Sequence, residues 1–412
     1  DKSLTAWEKL YGAEPSERSF SLRFAGIIER ACKQAGQRVV ILVDEYDKPM
    51  LQAIGNEELQ RQFRNALKPF YGALKTMDGC IKFAFLTGVT KFGKVSVFSD
   101  LNNLDDISMR KDYVELCGVS DRELHDTLDA ELHEFADVRG VTYDKLCAEL
   151  KECYDGYHFT HNSIGMYNPF SLLNAFKYKE FGSYWFETGT PTYLVSLLKK
   201  HHYDLERMAH EETDAQVLNS IDSESTNPIP VIYQSGYLTI KGYDEEFGIY
   251  RLGFPNREVE EGFVRFMLPY YANVNKVESP FEIQKFVREV RSGDYDSFFR
   301  RLQSFFADTT YEVIRDQELH YENVLFIVFK LVGFYTKVEY HTSEGRIDLV
   351  LQTDKFIYIM EFKLNGSAEE ALRQIKDKHY ALPFATDGRK LFQIGVNFSA
   401  ETRNIEKWIV EA

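Results

Sequence analysis

The sequence predicts a multidomain α/β protein, and three observations carry that prediction. At 412 residues the chain is too long for one ordinary hydrophobic core, so two or three domains are expected. Near its start, helical stretches alternate with wholly apolar strands, the pattern of a parallel sheet covered on both faces. From Tyr311 onward a helix leads into strands, a further helix and a last strand, which makes a second α/β unit.

The elements follow in chain order. "FSLRFAGIIERACKQAG", Phe20 to Gly36, places apolar residues at helical spacing and stops at a glycine. It feeds "RVVILVD", a strand that runs into Asp44, Glu45 and Asp47. After a long helical stretch comes a second strand, "CIKFAFLTG", Cys80 to Gly88. From about Ser120 to Lys200 the chain reads as helical and tyrosine-rich, with "CYDGYHF" and "YNPFSLLNAF" as punctuated turns. Two or three short strands are expected around "YDEEFG", with a helix after them, in the manner of a small winged-helix unit. Helical patterns continue to about Thr310, and "YENVLFIVFKLVGF" then opens the last unit.

Composition narrows the function. The 49 basic against 64 acidic residues give a formal charge of −15, which excludes a whole-surface nucleic-acid binder whose affinity rests on phosphate neutralisation. From Tyr311 onward there are 13 Lys and Arg against 16 Asp and Glu, so that region is the less acidic one without being a basic platform. The five cysteines, Cys32, Cys80, Cys117, Cys147 and Cys153, form no CxxC pair and suggest neither a disulfide framework nor a zinc site. The longest uninterrupted apolar run, Val324 to Phe329, is far too short to span a bilayer, and the first residues carry no targeting pattern. A cytoplasmic protein without a membrane partner is the expectation.

Two constellations carry chemistry. The first is the end of "VVILVDEYDKP": at the exit of an apolar strand, Asp44 can hold the magnesium of a bound nucleotide and Glu45 can orient an attacking water. Such a site also needs glycine-rich backbone amides and a lysine around the phosphates. One near-match exists, "GVTKFGKV" at Gly88 to Val95, but it has Val95 where a serine or threonine should bind the metal, and it follows the acidic strand instead of preceding it. The plain alternative is that Asp44 and Glu45 only solvate the exit of the strand.

The second constellation is "GRIDLVLQTDKFIYIMEFKL", Gly345 to Leu364. With Asp354 and Lys355 at a hairpin tip, counting outward pairs Asp348 with Glu361. Directly opposed residues have Cβ atoms about 5 Å apart, close enough for both carboxylates to hold one divalent ion. Lys363 shares the face of Glu361 because side chains alternate along a strand. Two carboxylates so placed repel, and a cation offsets that. Magnesium, or manganese, is the expected cofactor, since it prefers oxygen ligands, and a water on it oriented by Lys363 could attack a phosphodiester. The alternative is a ladder of surface ion pairs. Ile357 and Ile359 share the face of Glu361 while Phe356, Tyr358, Met360 and Phe362 fill the other, so this strand is expected to be buried on both sides. "SAEEALRQIKDKHYA" opens with a capping box, Ser367 and Glu370, and sets Gln374 and Lys378 four apart on one helical face. The histidines, His158, His161, His201 and His202 among them, lack metal-ligand spacing to acidic partners.

Taken in order, "ILVDEYDKP", "FLTGVTKFGKVSVFSDLNNLDDIS", "YDGYHF", "YNPFSLLNAF", "YWFETGTPTYLVSLL" and "GYLTIKGY" resemble the AAA-ATPase-like family that carries a PD-(D/E)xK nuclease domain at its C-terminus. The resemblance implies a partial P-loop NTPase-like parallel sheet, a helical and winged-helix middle, and a C-terminal restriction-endonuclease-like α/β domain. It divides the chain into 1–118 (AAA-ATPase-like core lacking the P-loop), 119–205 (lid-like helices), 206–310 (winged-helix-like and helical connector) and 311–412 (nuclease-like domain). It implies that the phosphate loop of the family precedes all these motifs, so ATP with magnesium is expected only where that segment is supplied. By the same resemblance Thr87 and Thr90 lie on a sensor-like strand, and the Asp348, Glu361 and Lys363 set is the D…ExK signature. Glu318 takes the place of the family's helical acid, with Glu322 its rival. Gln374 belongs to the site, Tyr380 matches a recurring tyrosine, and Arg346 matches the "GRxD" arginine. The function so implied is a metal-dependent nuclease acting on DNA or RNA and regulated by the ATPase-like module, with a homo-oligomer compatible with it. The alternative is a nucleotide-sensing switch or interaction scaffold whose nuclease-like domain only binds.

Overall fold

Phe20–Ala35 (α1) forms a helix because Phe24, Ile27, Ile28 and Ala31 recur on one buried face. Ser19 caps its start by accepting from Leu22 N, and Gly36, at φ 66°, stops it by donating to Cys32 O. The computed structural model describes residues 2–53, 56–89, 101, 103–187, 192–218, 227–272, 274–307, 317–343, 346–364, 366–399 and 401–412. They fall into two compact units.

The first unit comprises Asp1–Asp121, Tyr157–Met166 and Glu211–Gly253. Strand β1 (Val39–Val43) follows α1, helix α2 (Glu57–Thr76) comes next, and strand β2 (Ile81–Leu86) pairs parallel with β1, Val43 opposite Leu86. Helix α2 is tied to α1 by Ser21, whose hydroxyl donates to Pro69 O at 2.7 Å. One expectation fails here. Among the described residues the sheet is not covered on both faces: Val40, Leu42 and Phe83 are 56%, 72% and 55% exposed. Val40 pairs with Phe83, and alternation sets all three on the same side, so among the described residues one apolar face of this ribbon is open. An apolar run reads the same whether its face meets a neighbour or water.

The strands expected around "YDEEFG" are present. Glu211–Asp214 (β3), Thr239–Asp244 (β4) and Ile249–Gly253 (β5) form an antiparallel sheet in the order β3-β5-β4. Asp244 Oδ1 accepts from Glu246 N and Phe247 N, and Gly248 takes φ 69° with its N–H on Asp244 O, which closes the turn.

The second unit comprises Arg122–Gly156, Tyr167–His210 and Phe254–Ala412. The expected tyrosine-rich helices are there, including Tyr143–Tyr154 and Pro169–Tyr178. Four helices follow, Arg257–Tyr271 (α3), Ser279–Ser292 (α4), Tyr295–Phe306 (α5) and Gln317–Gly333 (α6). The sheet comes next, with Lys337–Ser343 (β6), Arg346–Gln352 (β7), Phe356–Leu364 (β8), helix Ala368–Asp377 (α7), Lys390–Ser399 (β9) and Asn404–Glu411 (β10). Its strand order is β10-β9-β8-β7-β6, with β8 and β9 parallel and the other pairs antiparallel.

Two layers cover this sheet. On one face Phe299 and Phe329 pack on Phe362, Phe306 packs on Phe398, and the Tyr358 hydroxyl donates to Val290 O at 2.7 Å, which brings α4, α5 and α6 over it. On the other, Leu372 and Ile375 of α7 join Ile357 and Ile359. Strand β8 is thus central and buried on both sides, which explains why it reads as an almost continuous apolar run.

Candidate active site

The site is built on the hairpin of β7 and β8. Its turn is held by Thr353, whose N–H donates to Phe356 O at 2.8 Å and whose Oγ1 accepts from Phe356 N at 2.9 Å. From that turn the register counts outward to Asp348 opposite Glu361 and Arg346 opposite Lys363, the pairing that the sequence spacing predicts. Glu361 is completely buried, and Lys363 Nζ lies 3.9 Å from its Oε1. A carboxylate removed from water this thoroughly is costly and needs positive charge close to it.

Helix α7 supplies the next contact. Its capping box is as expected, with Ser367 Oγ accepting from Glu370 N and Glu370 reaching back to Ser367 N. The helix seats against β9 at Gly395, the residue beside Glu361 in the parallel register. A Cβ at Gly395 would lie 2.1 Å from Ala368 O and 2.5 Å from Leu372 N, so only glycine permits this approach. So seated, α7 presents Gln374, whose Oε1 accepts from Lys363 Nζ at 2.6 Å. Glu361, Lys363 and Gln374 are therefore linked directly. Gly395 was missed from the sequence; an isolated glycine inside the apolar run "LFQIGVNF" was the available signal.

The other expected residues fall as follows. Asp348 and Arg346 are placed by backbone register on β7. Glu318 lies in the first turn of α6, and Glu322 one turn later. Lys378 is the residue that caps α7 at its C-terminal end. Tyr380 packs against the Ile357, Ile359, Leu372 and Ile375 cluster, which gives it a core role. Among the described side chains no group of three or more His, Cys, Asp or Glu gathers to hold a metal ion. The donor chemistry nevertheless suits a hard divalent cation: two carboxylate positions face each other across a hairpin and one of them is fully buried beside Lys363.

The first unit brings the N-terminal residues together differently. Thr87 donates its hydroxyl to Asp44 Oδ1 at 2.6 Å, and its backbone bridges the strand ends, with Thr87 N on Val43 O and Tyr46 N on Thr87 O. Asp44 and Thr87 thus form one cluster. Glu45 turns away from it at φ 53°, a left-handed conformation that costs a non-glycine residue about 1 kcal/mol or more, and pairs with Lys48 at 2.6 Å. Asp47 is 1% exposed, and Gly88 passes directly against its carboxylate, where a Cβ would meet Oδ1 at 2.5 Å. Burial, and then the charge of Asp47, push the Tyr46 phenol well above its ordinary range. Thr90 and most of the "GVTKFGKV" near-match lie outside the described residues.

Residues 1–98 match a family described as predicted AAA-ATPase, and residues 316–408 match the PD-(D/E)XK nuclease superfamily. An uncharacterized protein in the vnfD 5′ region of Azotobacter chroococcum mcd 1 is 33% identical over 423 residues, covering 99% of this chain and 78% of that protein. No solved structure matches the chain. No described helix is long and apolar enough to cross a membrane.

Proposed function

Since this chain belongs to the family of AAA-ATPase-like proteins with a C-terminal PD-(D/E)XK nuclease superfamily domain, we propose that it hydrolyses phosphodiester bonds of DNA or RNA around Asp348, Glu361 and Lys363. The observation that carries the reading is the hairpin register opposing Asp348 to Glu361, with Lys363 two residues on and bonded to Gln374. A surface ladder of ion pairs would not bury Glu361 completely.

Asp348 and Glu361, with Glu318 from the start of α6, are the residues that would hold magnesium or manganese. When bound, such an ion supplies Lewis acidity and a water of lowered pKa. The chain's own residues do the rest. Hydrolysis forms a bond from a water oxygen to phosphorus and breaks the bond to the leaving ribose oxygen, which takes up a proton. Lys363, bonded to Gln374, would orient that water or face the negative charge growing on the phosphate. Arg346, two residues before Asp348, is assigned to a neighbouring phosphate.

The ATPase-like module regulates this site in our reading, with 1–118 as its core, 119–205 and 206–310 as its lid-like and connector segments, and 311–412 as the nuclease-like domain it controls. Asp44 with Thr87 would serve the magnesium and terminal phosphate of ATP once phosphate-cradling amides are supplied. The charge of −15 favours one rival, an interaction scaffold with an inactive nuclease-like domain. Calorimetric titration of magnesium and manganese, run beside cleavage of single- and double-stranded DNA and RNA, separates the two. The nuclease reading expects metal binding lost in Asp348→Asn, and cleavage lost in both Asp348→Asn and Lys363→Ala with the fold kept. Wild-type protein that binds neither metal and cuts no substrate would establish the scaffold.

A further inference from the structure

Two of the five cysteines come together although they lie far apart in the sequence. Cys32 sits in the last turn of α1, which stops at Gly36 and leads into β1. Cys80 closes the 3-10 turn Asp78–Cys80 that follows α2, its N–H donating to Met77 O at 2.8 Å. That turn packs against α1, and the next residue, Ile81, pairs with Val39 at the first position of the parallel ribbon. Both cysteines therefore stand at the entry end of the ribbon, away from the end that carries Asp44 and Thr87.

The side chains meet there. The Cys80 thiol is hydrogen-bonded to Cys32, and this contact, followed by burial, holds it above the ordinary thiol range. Both thiols are unbridged and half-buried, within reach of a small solute. Lys33 stands beside them: its ammonium, paired with Glu29 at 2.6 Å, is close enough to feel both sulfurs. A cation in that place favours the thiolate, the form that attacks a disulfide. Neither the nuclease-like site nor the cluster of Asp44 and Thr87 uses a thiol.

We propose that Cys32 and Cys80 are a redox-responsive dithiol, which a small disulfide of the glutathione class oxidises to an intramolecular disulfide that clamps α1 to the entry of β2. Exchange takes two displacements. The thiolate of one cysteine attacks a sulfur of the small disulfide, forming a mixed disulfide and expelling one small thiolate. The other cysteine, as thiolate, attacks the protein sulfur of that mixed bond, forming the bond between Cys32 and Cys80 and expelling the second small thiolate. The two protons given up by the cysteines end on the two small thiols, so the protein pair is oxidised and the small disulfide is reduced. The bond closes a loop that contains all of β1, the strand that ends at Asp44, and so ties the unit that matches the ATPase-like family to the redox poise around it. The inference stands apart from the nuclease reading.

The test equilibrates the full chain in mixtures of reduced and oxidised glutathione, once folded and once unfolded in urea. Mass spectrometry then quantifies the tryptic peptide Ala31–Lys33 joined to Thr76–Lys82. A fold that sets the two thiols against each other favours the bond, so its equilibrium constant should be at least about tenfold larger in the folded chain than in urea. By the closed cycle, the same factor is the gain in folding equilibrium from the bond, and oxidised wild type should melt at a higher temperature than reduced. Cys32→Ser and Cys80→Ser should each stop at the mixed disulfide and show no such rise. An equilibrium constant no larger in the folded chain than in urea overturns the proposal. So does a chain, folded by circular dichroism, in which Cys32 and Cys80 each carry glutathione and stay unjoined. Should a serine variant not fold, the wild-type comparison decides alone, because it needs no substitution. A wild type that cuts no nucleic acid sinks the nuclease reading and leaves this result untouched.

Discussion

Replacing Gly395 by alanine tests how the site is assembled, because it changes none of the catalytic side chains themselves. The added Cβ would stand 2.1 Å from Ala368 O and 2.5 Å from Leu372 N, both backbone atoms of α7 that no rotamer change can move. A contact of that kind must open to at least 3.0 Å, so the helix has to retreat by about 0.9 Å. Gln374 rides on the same helix, and its 2.6 Å bond from Lys363 would stretch to about 3.5 Å if the helix moved as a body, the limit of a hydrogen bond. The packing strain should cost about 1–3 kcal/mol. Misplacing a catalytic group by about 1 Å can cost about a hundredfold in rate. Thermal unfolding followed by circular dichroism reads the first effect, and single-turnover cleavage reads the second. Both should appear together, with the loss of rate exceeding the fraction of protein unfolded. A Gly395→Ala protein as stable as the wild type and as fast would refute the claim that α7 is seated through this glycine.

Two further outcomes are expected. Magnesium at a hundred times its dissociation constant should stabilise the wild type by about 2.7 kcal/mol against thermal unfolding, and Glu361→Gln should lose that gain while remaining folded; equal stabilisation of both proteins would place the metal elsewhere. Glu258, 6% exposed and accepting from Trp185 N at 2.8 Å, has its pKa raised, chiefly by burial. The folded state then favours the protonated carboxyl, so the stability it contributes is present below the ordinary carboxyl pKa and is lost as pH rises through the raised one. Glu258→Gln, which keeps the acceptor, should therefore be more stable than wild type at neutral pH, with the gap closing toward acid; a gap that does not change with pH would contradict the assignment.

Local rules made much of this protein legible in its sequence. The helix Phe20–Ala35 follows from its apolar face and its glycine stop, which involve only near neighbours along the chain. The capping box of α7 is complete within four residues. The pairing of Asp348 with Glu361 required only a turn position and a side-chain period of two, so counting sufficed. The burial of β8 on both faces was equally readable, because a strand that alternates nothing has no side to give to water.

What tertiary structure decided is whatever depends on residues distant in sequence. The apolar strands β1 and β2 read as covered, and their coverage is settled by other segments, which leave Val40, Leu42 and Phe83 exposed. The role of Gly395 is invisible until α7 is laid across it, since its backbone dihedrals are ordinary and its importance lies in an approach to Ala368 and Leu372. Lys363 meets Gln374 only because a crossover helix returns over its own strand. Periodicity fixes which face a side chain takes within its own element; the neighbours it meets there are fixed by packing, which no count along the chain contains.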